Sequence, residues 1–269
     1  MTLIRSRQHP FVVQCRQLAR SGPAESGAVL LDGVHLAREA VASGLRGLTM
    51  AVGTAARDRA EVTEVVALVR QAGGTVLDVT NDVLEAASPV KSPSGIVAVA
   101  PCRRATLDEA LGSAPALVAA ALDVQDAGNL GAIIRAAEAA GATGVVVAGQ
   151  SADPLGWRAI RGSMGSVFRI PVAVVADAAA LLAGARGHGI TTLATGPAGG
   201  QDLYATNLAR PILVVLGAEG AGLDEQTYDA CDERVRIPMA PPVESMNVAV
   251  AAGVILFEAR RQRASGPTR

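Results

Sequence analysis

A chain of 269 residues that is 50% apolar can bury one large core or two small ones, and with 2% aromatic content those cores must be built from Ala, Val, Leu and Ile. A net charge of −1 excludes a uniformly basic coat, no apolar run reaches a membrane span, and MTLIRSRQHP lacks the apolar segment of a secretion signal. Cys15, Cys102 and Cys231 are odd in number and far apart, as are His9, His35 and His188; they give no metal spacing and fit a reducing, cytoplasmic compartment.

In chain order, FVVQCRQLAR reads as a helix with a basic face inside residues 1–24. Strands are expected at 29–31, 48–52, 75–79 and 95–100, separated by helices at 34–44, 58–72 and 81–88. Val62, Val65, Val66 and Val69 supply the helical spacing of the middle one. This alternation predicts a small α/β domain over residues 1–100. The turn-rich stretch 88–95 carries Lys91, the only lysine; it reads as a plain connection, with a domain rim or ligand loop as the alternative. PCRRATLDEALGSAPA, residues 101–116, shifts composition and reads as a linker with a short helix.

A second α/β domain is expected over 117–269. Strands are read at LVAAALDV, TGVVVAG, VFRIPVAVV, ITTLAT, PILVVLG and RVRIP. Helices are read at 129–142 (closed by Gly141), 154–165, 177–187, 223–233 and 246–263. Short Val, Ile and Leu runs without alternation are strands covered on both faces, hence a mainly parallel sheet.

Positive charge is almost all arginine. Arg5, Arg7, Arg16 and Arg20 crowd the start without an acid, and Arg260, Arg261 and Arg263 crowd the end. Guanidinium forks pair with phosphate and stack on bases; a bias toward arginine on solvated faces gives the same pattern. In open α/β sheets ligands bind beyond the carboxyl ends of strands. Three such ends stand out. DVQDAGNLGAIIR holds Asn129 and, six residues on, Arg135 in an otherwise apolar helix stretch. LGAEGAGL follows a strand directly; its glycines admit a close ligand, but Glu219 in its middle would repel a pyrophosphate, so a dinucleotide is not expected. IPMAPPVESMN, stiffened by Pro238, Pro241 and Pro242, delivers Glu244, Ser245 and Asn247 to a helix start. Ser and Asn there serve as helix caps or as ligand groups.

The order and spacing of these three stretches resemble the SpoU/TrmH family of RNA ribose 2′-O-methyltransferases. The carrying runs are GNLGAIIR, LGAEGAGL and IPM…ESMNVAVAAG, supported by GSMGSVFRIPV at 162–172, SRQHP at 6–10, LLDGVHL at 30–36 and SPSGIVAV at 92–99. Departures are Ala127 where the family has proline, His9 for asparagine, Met246 for leucine and Asp32 for glutamate. The resemblance implies a C-terminal trefoil knot, a homodimer through the knotted domain, and S-adenosylmethionine as cofactor, without metal or membrane. It implies cofactor contacts from Thr195, Leu216, Gly217, Ile237, Met239 and Met246. Arg135, Asn129, Glu219, Ser245 and Asn247 are the implied catalytic set: Arg135 on phosphate and the developing 2′-oxyanion, Asn129 orienting, Glu219 pairing with an arginine, Ser245 and Asn247 positioning ribose. Arg5, Arg7, His9, Lys91 and Arg135 are the implied RNA contacts. Ribosomal RNA (23S type) is the first expected substrate, with transfer RNA next. Antibiotic-resistance methylation and a non-catalytic RNA-binding protein of the same fold stay open. A dinucleotide-dependent oxidoreductase lacks its fingerprint.

Overall fold

Valine- and alanine-rich runs of five or six residues build both sheets of this protein, seen in a computed structural model that describes residues 3–23 and 27–264. The outer ends of the two expected domains, at residues 1–2 and 265–269, and the end of the first helical stretch at residue 24 lie outside the described residues. Two units are present: Met1–Arg103 with Leu155–Phe168, and Arg104–Pro154 with Arg169–Arg269.

The first unit holds α1 (Pro10–Ser21), β1 (Ala28–Asp32), α2 (Val34–Ala42), β2 (Thr49–Gly53), α3 (Ala60–Gln71), β3 (Thr75–Val79), α4 (Asn81–Ala87) and β4 (Ile96–Pro101). The strand order is β1-β4-β2-β3, with β2 and β3 parallel and β4 antiparallel to β1 and β2. That register brings the carboxyl ends of β1, β2 and β3 to the end where β4 begins. Ile4 bridges Val79, so Arg5 and Arg7 emerge there, as does the loop that carries Lys91. At that end Asp32 accepts the Ser88 hydroxyl at 2.7 Å. Burial pushes its carboxyl above 3.8, against the Ser88 bond and the Arg161 charge. Phe11, Val12, Cys15 and Leu18 bury one face of α1 against β1 and α4 residues such as Leu30, Val83 and Leu84.

The second unit holds α5 (Leu107–Leu111), β5 (Leu117–Leu122), α6 (Ala127–Ala140), β6 (Gly144–Ala148), β7 (Val172–Val174), α8 (Ala178–Gly187), β8 (Thr191–Thr195), β9 (Gln201–Asp202), β10 (Ile212–Leu216), α9 (Glu225–Ala230), β11 (Glu233–Arg236) and α10 (Val248–Ala264). Its seven strands run β7-β6-β5-β10-β8-β11-β9, every neighbouring pair parallel. Every residue of β5, β6 and β10 is buried, which accounts for their unbroken apolar runs. The C-terminal α10 packs along α6 and on β5. Its far end is fixed by Arg263, whose guanidinium donates to the carbonyls of Pro115, Ala116, Leu208 and Arg210 at 2.6–3.1 Å.

Three sequence expectations change. VFRIPVAVV is not one strand: Ser166–Phe168 is a 3-10 turn, and only Val172–Val174, beyond Pro171, pairs in the sheet. The helix α7 (Trp157–Ser163) and that turn pack within the first unit, where Trp157 donates to the Ala19 carbonyl at 3.3 Å. Most of 101–116 is built into the second unit: Ala105 bridges Ala173, and Thr106 and Glu109 close a capping box on α5.

Candidate active site

The carboxyl ends of β8, β10 and β11 open into a cavity of about 410 Å³. Two glycine-bearing loops wall it. Beyond β10, Ala218 and Gly222 exchange backbone hydrogen bonds at 3.0–3.1 Å, closing a tight loop. Gly217 sits so close to that closure that a Cβ would lie 2.3 Å from the Gly222 carbonyl carbon, and Gly222 itself takes φ +72°. Beyond β11 the proline-stiffened stretch leads to α10, whose Ala251 and Ile255 form the opposite wall. Thr195, Leu216, Gly217, Ile237, Met239 and Met246 all line this cavity. The Thr195 hydroxyl is spent on the Val215 carbonyl at 2.8 Å.

A polar chain runs beside the cavity. Asp126 caps α6 by accepting the Asn129 N–H at 2.7 Å, which fixes Asn129 in the first turn. The Asn129 Nδ2 donates to Glu219 Oε1 at 3.0 Å, and its Oδ1 accepts from Asn247 Nδ2 at 2.9 Å. The Asn247 Oδ1 in turn accepts the Ala249 and Val250 N–H groups at 2.9 and 3.2 Å, capping α10. Glu219 thus takes the Asn129 amide and the Gln125 N–H, the latter at 3.4 Å, in place of the expected arginine. Glu219, Ser245 and Asn247 line the cavity, and Asn129, outside the lining, joins Glu219 to Asn247. The wall residues are otherwise uncharged: among the described residues Glu219 is the one ionisable side chain on the cavity lining.

Arg135 lies elsewhere. Six residues beyond Asn129 on an α-helix place it about 120° around the axis and about 9 Å along it. It is exposed, lines no part of the cavity, and its side chain makes no hydrogen bond or ion pair among the described residues. In the first unit Arg5, Arg7 and Lys91 are exposed; Arg7 pairs with Asp82 at 3.5 Å. His9 is the N-cap of α1, its Nδ1 accepting from Phe11 N–H at 3.3 Å, which leaves Nε2 for any ligand. Sequence reasoning missed Asp126, although Asp three residues before a polar first-turn residue is a capping signal. It also missed Asp123, whose left-handed backbone (φ 59°) ends β5 and whose carboxylate takes the Gln150 N–H at 2.6 Å. Among the described residues no three His, Cys, Asp or Glu side chains gather as metal ligands, and no helix is long and apolar enough to cross a membrane.

Residues 116–257 match the SpoU rRNA Methylase family. An uncharacterized tRNA/rRNA methyltransferase of Synechocystis sp. is 35% identical over 98% of this chain and 96% of its own. A 23S rRNA (guanosine-2′-O-)-methyltransferase of Ralstonia nicotianae is 32% identical over 91% of this chain and 100% of its own. The crystal structure of an AdoMet-bound rRNA methyltransferase from Sinorhizobium meliloti superposes with a TM-score of 0.85 at 31% identity, covering 97% of each chain.

Proposed function

The chain belongs to the SpoU rRNA Methylase family, and from that premise we propose that it transfers a methyl group from S-adenosylmethionine to a ribose 2′-hydroxyl of RNA. Ribosomal RNA of the large subunit is the favoured substrate class, as in the Ralstonia relative's name. A cytoplasmic location goes with that substrate and is part of the same proposal.

The observation that carries this reading is the charge content of the cavity. Nineteen residues line it, and among the described residues Glu219 is its one charged side chain, with no arginine, lysine or histidine. A phosphorylated cofactor would find no cation there. A cofactor with an apolar-walled adenosine and a cationic sulfonium fits: Leu216, Ile237, Met239 and Met246 offer apolar walls, and one carboxylate faces a positive centre. When bound, S-adenosylmethionine supplies an electrophilic methyl. The chain's own residues do the rest. Ser245 and Asn247 hold the acceptor ribose by hydrogen bonds at the cavity rim. The Glu219–Asn129–Asn247 chain keeps the glycine loop and the start of α10 in register, an orientation effect. Arg135, a permanent cation with a forked donor set, binds the neighbouring phosphate and stabilises the 2′-oxyanion as its proton passes to solvent water.

Arg135 reaches that position from a second copy of the chain in this reading. Support comes from α10, where Val250 is 55% and Phe257 49% exposed seven residues apart on one face, with Val243 exposed in the loop before it. An uncovered apolar stripe on a helix beside the site is interface chemistry. The C-terminal knot is part of the same reading. In the first unit, Arg5, Arg7 and Lys91, gathered at one end of the sheet, grip RNA phosphates. With net charge −1, binding through such local patches has a modest salt slope.

The test is transfer of labelled methyl from S-adenosylmethionine to ribosomal and transfer RNA, followed by nucleoside analysis. A 2′-O-methylated nucleoside in ribosomal RNA is the expected product. A base-methylated nucleoside, or no binding of S-adenosylmethionine by calorimetry, would overturn the reading.

A further inference from the structure

One wall of the cavity is held from outside by a side chain that never touches the cavity. Gly196 and Pro197, the first residues after β8, form that wall. The segment 196–200 is GPAGG and has no side chain able to anchor itself in the core. Gly196 N–H donates to the Val235 carbonyl at 3.1 Å, which fixes its start. Its middle is fixed by Tyr228 on α9: the phenol O–H donates to the Ala198 carbonyl at 3.2 Å. The Tyr228 ring also lies against Gly196, where a Cβ would fall 2.8 Å from Oη, 3.0 Å from Cε2 and 3.2 Å from Cζ. The ring cannot easily swing away, because the Arg234 guanidinium stacks on it at 4.7 Å and is itself paired with Asp229.

The helix that carries Tyr228 is tied to the other glycine wall. Asp224, the residue after Leu223, caps α9 by accepting the Thr227 N–H at 2.7 Å and the Thr227 hydroxyl at 3.1 Å. The Thr227 side chain is buried. One short helix therefore begins where the 217–222 loop ends and braces the 196–200 loop with its single aromatic ring.

We propose that Tyr228 is a positioning residue for the cofactor cavity, coupling its two glycine walls by holding the 196–200 segment against the β11 edge. The proposal rests on the reading of the cavity as the S-adenosylmethionine site. It places no catalytic role on Tyr228, so its effect falls on cofactor affinity and not on the transfer step.

The experiment is calorimetric titration of the full-length wild type, Tyr228→Phe, Tyr228→Leu and Gly196→Ala with S-adenosylmethionine, together with steady-state methyl transfer. Tyr228→Phe loses one hydrogen bond and keeps the ring, so Kd should rise about fivefold. Tyr228→Leu also loses the ring that supports Gly196 and Arg234, and Kd should rise about fiftyfold. Gly196→Ala pushes a methyl into the phenol and should weaken binding at least as much as Tyr228→Phe. In the two Tyr228 variants, KM for the cofactor should follow Kd while KM for RNA and kcat at saturating cofactor stay within about twofold. Wild-type affinity in Tyr228→Leu, or a fall in kcat with Kd unchanged, would overturn the positioning role alone. Tyr228→Phe as weak as Tyr228→Leu would overturn the bracing by the ring. Absence of cofactor binding by the wild type would overturn both this inference and the reading beneath it.

Discussion

Asn247 performs two tasks with one amide, and a single substitution separates them. Its oxygen caps α10, and its nitrogen donates to Asn129. Asn247→Asp keeps an acceptor for the Ala249 and Val250 N–H groups and adds negative charge at the positive end of a 17-residue helix, an addition that favours stability by about 0.3–1 kcal/mol. It removes the donor. Asn129 would then stand between two carboxylates, that of Glu219 and the one introduced at position 247, with one amide nitrogen and one amide oxygen to offer. Whichever way the amide turns, one carboxylate faces an oxygen. Losing a hydrogen bond to a charged group costs about 1.5–3 kcal/mol, and an exposed rim belongs at the lower end. About 1.5 kcal/mol corresponds to roughly a tenfold fall in kcat/KM.

Asn247→Ala removes cap and donor together. The cap alone is worth about 1 kcal/mol, so Tm should fall by about 2–4 °C for a domain of this size while turnover also falls. The assay pairs thermal melts with initial rates of methyl transfer at saturating cofactor. Asn247→Asp, which keeps the cap, should lose less stability than Asn247→Ala, which loses cap and donor together, yet both should be slow. Asn129→Ala combined with Asn247→Asp should be far less than additive, because both act on one chain of contacts. Wild-type turnover in Asn247→Asp, or activity that tracks Tm across the set, would refute the relay.

Arg135→Ala should lower kcat by about 10²–10³ while calorimetric cofactor affinity holds, and Arg135→Lys should restore little, because an ammonium cannot offer the fork; near-normal turnover in either removes Arg135 from the chemistry. Phe257→Glu should convert a dimer to a monomer in light scattering and reduce activity with it; a wild-type protein that runs as a monomer at assay concentration would refute the shared site. Glu258 is buried and held to about 2, below its ordinary 4.5, first by its hydrogen bonds with Arg261, then by Gln262. A depressed carboxyl contributes stability fully above the unfolded value, lost as pH falls from about 4.5 through about 2. Glu258→Gln should therefore lower Tm at pH 7 and flatten its decline over that window, and an unchanged profile would show that the pair contributes nothing.

The fold was legible because both periodicities were strong. Val62, Val65 and Val69 are all buried on α3, as their spacing demands, and the all-apolar β5 and β10 lie inside a parallel sheet. The failures share one cause: composition does not specify a partner. Residues 167–175 are rich in Val, Ile and Phe and read as one strand, yet the boundary between the two units falls between Phe168 and Arg169, and only Val172–Val174, beyond Pro171, pairs in the sheet. Two-residue β9 is too short to leave any pattern.

At the site, the glycine loops were legible and the directions of the side chains were not. Gly217 and Gly222 announce close approach and a left-handed turn in sequence, and the structure uses them so. Glu219 between them was expected to meet an arginine, because a carboxylate near a cation is the commonest pairing. The loop instead brings it to the opening turn of α6, where the Gln125 N–H and the Asn129 amide are donors that need an acceptor. A donor-rich helix start competes with any arginine for that carboxylate, and it wins here because it is covalently fixed within reach. Arg135 stands outside this competition: it lies on another face of α6 and its side chain is exposed, so the engagement of Glu219 neither ties nor frees it.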